Sequence, residues 1–157
     1  MVKLKFFEQK DFPGLTYTLD EQQAQYTATA EQALQKIEER SDTLAFPITI
    51  FEDEDPVGFF VLDFGNDKLE FTDNHNSMLL RSFSINPKFQ GKGIGKKAMI
   101  QVDEFIRENF KECDEIVLAV NQNNISAYRL YLTVGYQYEG KERIGRSGPQ
   151  YLMFKKL

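Results

Sequence analysis

The sequence predicts an α+β or α/β domain in which a sheet carries helices on its faces. Seven short apolar or alternating segments read as strands. Three longer segments place apolar residues at helical spacing. Their order is mixed: hairpins first, then strand, helix, strand, helix, then a closing pair of strands. A chain of 157 residues with no internal repeat is expected to be one domain, residues 1–157, around one core.

Val2–Phe7 alternates as a first strand, and Pro13-Gly14 marks a loop. Asp20–Ala28 has a cap residue but no clean period, so it reads as a short helix or turn. Thr29 and Gln32 stand at capping-box spacing ahead of the stripe Ala30, Ala33, Leu34 and Ile37, which makes a helix. Phe46–Phe51 and Val57–Asp63 flank the acidic run Glu52–Asp55 as a hairpin with a solvated tip. Gly65–Ser77 is polar and reads as a mobile connection. Met78–Ile85 is apolar on both faces, hence a central strand. From about Gly95 a long amphipathic helix carries Ala98, Val102, Phe105, Ile106 and Phe110. Glu115–Val120 is a buried strand, and a helix then opens at Asn124 and stops at Gly135. Tyr136–Ile144 and Gln150–Lys156 are strands joined by the turn residues Gly145–Pro149.

With 41% hydrophobic and 27% charged residues the composition is that of a globular protein. The longest uncharged apolar run, Val57–Leu62, falls far short of the roughly 20 residues that span a bilayer, so no membrane partner is expected. The N-terminus breaks its apolar residues with charges and has no signal-peptide pattern, and cytoplasmic residence is the expectation. A single cysteine, Cys113, excludes an intrachain disulfide and a cysteine-based metal cluster. A single histidine, His75, leaves no two-histidine metal site, and no metal is expected. A net charge of −5 argues against nucleic acid as a partner and suits a cationic small acceptor.

The stretch Ser82–Met99, "SFSINPKFQGKGIGKKAM", puts glycines at 91, 93 and 95 and lysines at 88, 92, 96 and 97 between a strand and a helix. Glycines let the backbone turn sharply and keep side chains out of the way, so that several N–H groups can converge on one anion. Each hydrogen bond to a charged oxygen contributes about 1.5–3 kcal/mol, more than the roughly 0.3–1 kcal/mol of the helix dipole at an exposed site. A polyphosphate fits the combination. The Walker pattern is absent. The dinucleotide fingerprint is met by Gly93, Gly95 and Ala98, but seven residues separate Ile85 from Gly93, and the next strand ends in Asn121, not an acid.

The same stretch resembles the acetyl-CoA loop of the GNAT N-acetyltransferases, whose pattern [QR]xxGx[GA] is met by Gln90, Gly93 and Gly95. Downstream, Asn124, Ala127, Leu130, Tyr131, Gly135 and Tyr136 resemble the family's later segment, and the likeness runs from about Val57 to the C-terminus. The resemblance implies a GNAT fold of α/β/α layers. Its sheet would be mixed and mostly antiparallel, of six to seven strands with splayed central parallel strands, and carry about four helices. It implies acetyl-CoA as co-substrate, bound by Phe83, Ser84 and Ile85 along its arm and by Gln90, Gly91, Lys92, Gly93, Ile94, Gly95 and Lys96 at its pyrophosphate, with Asn124 and Tyr131 also in contact. It implies direct attack by a primary amine of a small molecule or peptide, with Tyr131 as the acid that protonates the departing thiolate.

Spacing alone also allows Tyr131 to be a packed core residue and Asn124 a simple helix cap. The general base is open. No carboxylate lies in Leu79–Ile85, and Glu70, Asp73 and His75 in the polar connection are each as readily solvated loop residues. Cys113 reads as packing and not as a nucleophile. A non-catalytic acyl-CoA sensor is the rival reading, and the protein is expected to act as a monomer or homodimer. The acceptor should be selected by about Leu15–Arg40 and Gly65–Ser77.

Overall fold

The computed structural model describes all residues, Met1–Leu157. Seven strands form one sheet: β1 (Val2–Phe6), β2 (Ala45–Glu52), β3 (Asp55–Asp63), β4 (Ser77–Ile85), β5 (Glu115–Asn121), β6 (Gln137–Gly145) and β7 (Gly148–Lys156), in the order β1-β2-β3-β4-β5-β7-β6. Four helices join them: α1 (Glu21–Tyr26), α2 (Ala30–Glu38), α3 (Ile94–Asn109) and α4 (Ile125–Thr133). Every pairing is antiparallel except β4 with β5. This is the layered, mixed sheet that the sequence implied.

Burial follows the strand period. On β3, Phe60 and Leu62 join a core built with α3 and α4, while Phe59 and Val61 face a smaller core under α2. Helix α2 has the expected capping box, with Thr29 Oγ1 accepting from the Gln32 amide at 3.2 Å and Gln32 Oε1 from the Thr29 amide at 3.0 Å. Asp20 caps α1 by accepting from the Gln23 amide at 2.8 Å. Asn124 accepts from the Ala127 amide at the start of α4, and Gly135 ends that region with a φ of 103°.

Two connections are more ordered than their composition suggests. Gln9–Leu15 coils into a 3-10 turn, because the Asp11 carboxylate, buried beside Thr49, accepts from the Glu8 amide at 2.9 Å and the Thr49 hydroxyl at 3.0 Å. Gly65–Ser77 is a pinned loop and not a free one: Asn66–Glu70 forms a second 3-10 turn that buries Lys68. The Lys68 ammonium donates to the His75 carbonyl and lies 3.6 Å from the Phe64 ring centre.

The feature that makes a site is a parting of the sheet. β4 and β5 pair only at Ser77–Glu115, Met78–Ile116 and Leu79–Val117. Beyond these, β4 stays with β3 and β5 with β7, so the two halves diverge. On β4, two residues, Ser82 and Phe83, oppose the single Phe60 of β3. This is a β-bulge, and Ser82 takes a φ of 59°, a conformation that L residues adopt at a cost of about 1–2 kcal/mol.

Candidate active site

The gap between the diverging strands is a cleft of about 770 Å³. Leu80–Ile85 form one wall, Ala119–Asn121 the other, and the N-terminus of α3 closes the end. Of the residues expected at the site, Phe83, Ser84, Ile85, Gln90, Gly91, Gly93, Ile94, Gly95, Lys96, Asn124 and Tyr131 all line this one cleft. Lys92 does not; its ammonium rests 5.5 Å from the Phe89 ring centre.

The glycines of the loop fall into two kinds. Gly91 and Gly93 both have a φ of 79°, the left-handed region that favours glycine. A Cβ on either would meet no protein atom within 4 Å, so the space above them is open. Gly95 has no such backbone demand, and its nearest neighbours to a Cβ are ordinary contacts at 3.8 Å from Ile85, Leu130 and Phe83. The protein could hold an alanine there; a side chain would instead project among cleft-lining residues. No side chain caps α3, whose ladder opens with the Lys97 amide on the Gly93 carbonyl at 3.1 Å. The amides ahead of it are left for an anion.

Gln90 braces the loop, donating from Nε2 to the Ile85 carbonyl and to Gln23 Oε1, each at 3.0 Å. This ties α1 across the cleft mouth to the glycine loop. Tyr17 lies 2.6 Å from Ser84 Oγ and donates to the Ser84 carbonyl at 3.2 Å, fixing β4 after the bulge. Burial raises the Tyr17 phenol to about 12, with the Ser84 hydrogen bond acting the other way.

Tyr131 is 7% exposed, on the face of α4 toward the cleft, packed at 5.8 Å between ring centres with Tyr136. Burial pushes its phenol up to about 12, so it is protonated at neutral pH. Its hydroxyl is free to donate to a group entering the cleft.

A second chamber, of about 300 Å³, adjoins the first and shares the wall of Tyr26, Thr27, Leu80, Arg81, Ser82, Ala119 and Asn121. Helices α1 and α2, within the stretch Leu15–Arg40 that was expected to select the acceptor, supply one side of it. The other side is the β6–β7 hairpin, with Arg143, Arg146, Ser147 and Gln150, which sequence reasoning missed. That hairpin is latched in place: Ser147 donates to the Gln25 carbonyl, and its own carbonyl accepts from Asn121 at 3.0 Å. No local pattern marks such a turn, since its position depends on contacts across the sheet. Glu70, Asp73 and His75 line neither chamber. Cys113 is buried, donates to the Glu115 carbonyl at 3.3 Å, and has its thiol pKa raised by burial.

Known proteins share this architecture. Residues 9–136 match the model of the acetyltransferase (GNAT) family. An uncharacterised N-acetyltransferase, YbbJ, of Bacillus subtilis is 34% identical over 154 residues, covering 97% of this chain and 95% of its own. The spermine/spermidine N(1)-acetyltransferase of the same organism is 35% identical over 96 residues, 60% of this chain and 61% of its own. Among solved structures, the aminoglycoside acetyltransferase AAC(6')-Ib with paromomycin and acetyl-CoA has a TM-score of 0.77 at 18% identity, covering 99% of this chain and 93% of that one. With a family model spanning most of the chain and a relative aligned over nearly its whole length, the chain belongs to the acetyltransferase (GNAT) family and is an enzyme of the N-acetyltransferase class.

Proposed function

We propose that the protein moves an acetyl group from acetyl-CoA to a primary amine of a small molecule or peptide, by direct attack with both substrates bound. The observation that carries this reading is the parted pair β4 and β5, with open glycine amides at one end of the gap and the protonated Tyr131 beside it. The cleft suits a thioester of CoA: its volume is in the range of cofactor sites, and its phosphate end is free of side chains where amides must approach.

Acetyl-CoA supplies the acetyl group, activated as a thioester. The amides around Gly91, Gly93 and Gly95 hold its pyrophosphate, with Lys96 adding charge. Backbone of Phe83–Ile85 on the edge toward the gap, where β5 no longer pairs with β4, orients its arm and can polarise the reacting carbonyl. Tyr131 holds a proton for the departing sulfur. The carboxylates that line the two chambers already have partners: Asp63 has both oxygens engaged by Arg40, Arg81 and the Gly65 amide, Asp67 holds Arg81, and Asp20 caps α1. The amine therefore loses its proton to solvent before attack.

Acetyl-CoA, but not NAD, should raise the melting temperature, and amines should release free thiol from acetyl-CoA. Stabilisation without thiol release from any amino acid, peptide N-terminus, amino sugar or polyamine would instead identify a non-catalytic acyl-CoA sensor.

A further inference from the structure

The chamber beside the cleft carries a charge opposite to that of the chain. Net charge is −5, yet this chamber is lined by Lys36, Arg40, Arg81, Arg143 and Arg146 against only Asp63 and Asp67. Both carboxylates are already taken: Asp63 holds Arg40 at 2.6 Å and Arg81 at 3.4 Å, and Asp67 holds Arg81 at 3.0 Å. Arg40 also pairs with Asp42 at 2.9 Å. Lys36 and Arg146 have no carboxylate within ion-pair distance. Arg143 meets Glu70 only at 3.9 Å. Its guanidinium is held ready, stacked 4.8 Å from the Phe71 ring centre and donating to Gln150 at 3.1 Å.

A planar guanidinium fixed on a ring is preorganised for a two-oxygen acceptor and has no use for an ammonium. The positive wall also disfavours the protonated form of an incoming amine, and so favours the neutral nucleophile. A volume of about 300 Å³ limits what enters to a small molecule.

Granting the acetyltransferase reading, we infer that the acceptor is a small amine that also carries an oxyanion, a carboxylate or a phosphate. Arg143 and Arg146 hold this oxyanion while the amine points to the β4–β5 gap. The cationic acceptor suggested by overall composition is opposed by the local field.

Calorimetric titration of the CoA-loaded protein with matched pairs tests this. The pairs are an α-amino acid and its amide, and glucosamine 6-phosphate and glucosamine, with spermidine as the polycation. In at least one pair the oxyanion-bearing member should bind about tenfold tighter or more, as expected for one charge-assisted contact. Which pair responds tells carboxylate from phosphate. Arg146→Gln should remove most of the preference and Arg146→Glu reverse it, while stabilisation by acetyl-CoA, whose cleft Arg146 does not line, stays unchanged. No preference within either pair, no detectable binding, or tighter binding of spermidine overturns the inference. Thiol release is read separately, so failure of the enzyme reading and failure of the oxyanion reading are distinguishable.

Discussion

Tyr131 was recognisable in the sequence by its place in a pattern, while its environment was not. Burial raises its phenol to about 12, so the rate should climb with pH as the amine deprotonates and then hold level to about pH 10. A descending limb below pH 9 would remove Tyr131 as the acid. Tyr131→Phe should lower kcat by about 10²-fold or more while leaving stabilisation by acetyl-CoA intact. Gly95 gives a second test. Its backbone is compatible with any residue, so Gly95→Ala should fold at least as stably, by up to about 1 kcal/mol, yet bind acetyl-CoA more weakly. Equal affinity would mean that no ligand passes close to Gly95. The glycine loop was legible because its signal is local: residue types at fixed spacing next to a helix start. The charge of the chamber beside the cleft was not, because Lys36, Arg81 and the pair Arg143 and Arg146 come from three separate parts of the chain.

At the scale of elements, the caps of α2 and α4 and the apolar stripes of α2, α3 and α4 specified them in advance, since helix signals repeat within a few residues. The bulge in β4 was illegible for the opposite reason. Ser82 and Phe83 face Phe60 through a register set by pairing with a strand about twenty residues away. Its left-handed Ser82 makes a sharp prediction: Ser82→Val should destabilise the fold by about 1–2 kcal/mol, read from urea unfolding, because a branched side chain tolerates that φ poorly. An unchanged midpoint would show that the bulge can be ironed out. The loop Gly65–Ser77 was misread as mobile because Lys68 looks like a surface residue until its carbonyl and aromatic partners are in place. The β6–β7 hairpin was readable as a turn, but not as a wall of the site.

For the whole molecule, stability should fall in alkali. Below pH 10 the tyrosines are neutral whether the chain is folded or not. Above it the unfolded phenols, near their ordinary value of 10, ionise while Tyr17 and Tyr131, raised by burial to about 12, resist. Stability is then lost between about pH 10 and 12, at up to roughly 1.4 kcal/mol per pH unit for each such tyrosine. Denaturant midpoints measured from pH 8 to 11 check this, and a flat profile would contradict the burial of both groups. No helix is long and apolar enough to cross a membrane. Net charge, a property of the whole chain, proved a poor guide to one chamber of it.

The three residue pairs that join β4 to β5 have a mechanical consequence. They are a short hinge between two leaves, and past Leu79 and Val117 neither leaf can pass load to the other through backbone hydrogen bonds. A molecule lying in the gap becomes the missing strand. Amides of Arg81–Ile85 should therefore exchange with deuterium faster than those of β3 in the free protein. Acetyl-CoA should slow them together with amides on the β5 side, so that two leaves which open separately come to open as one.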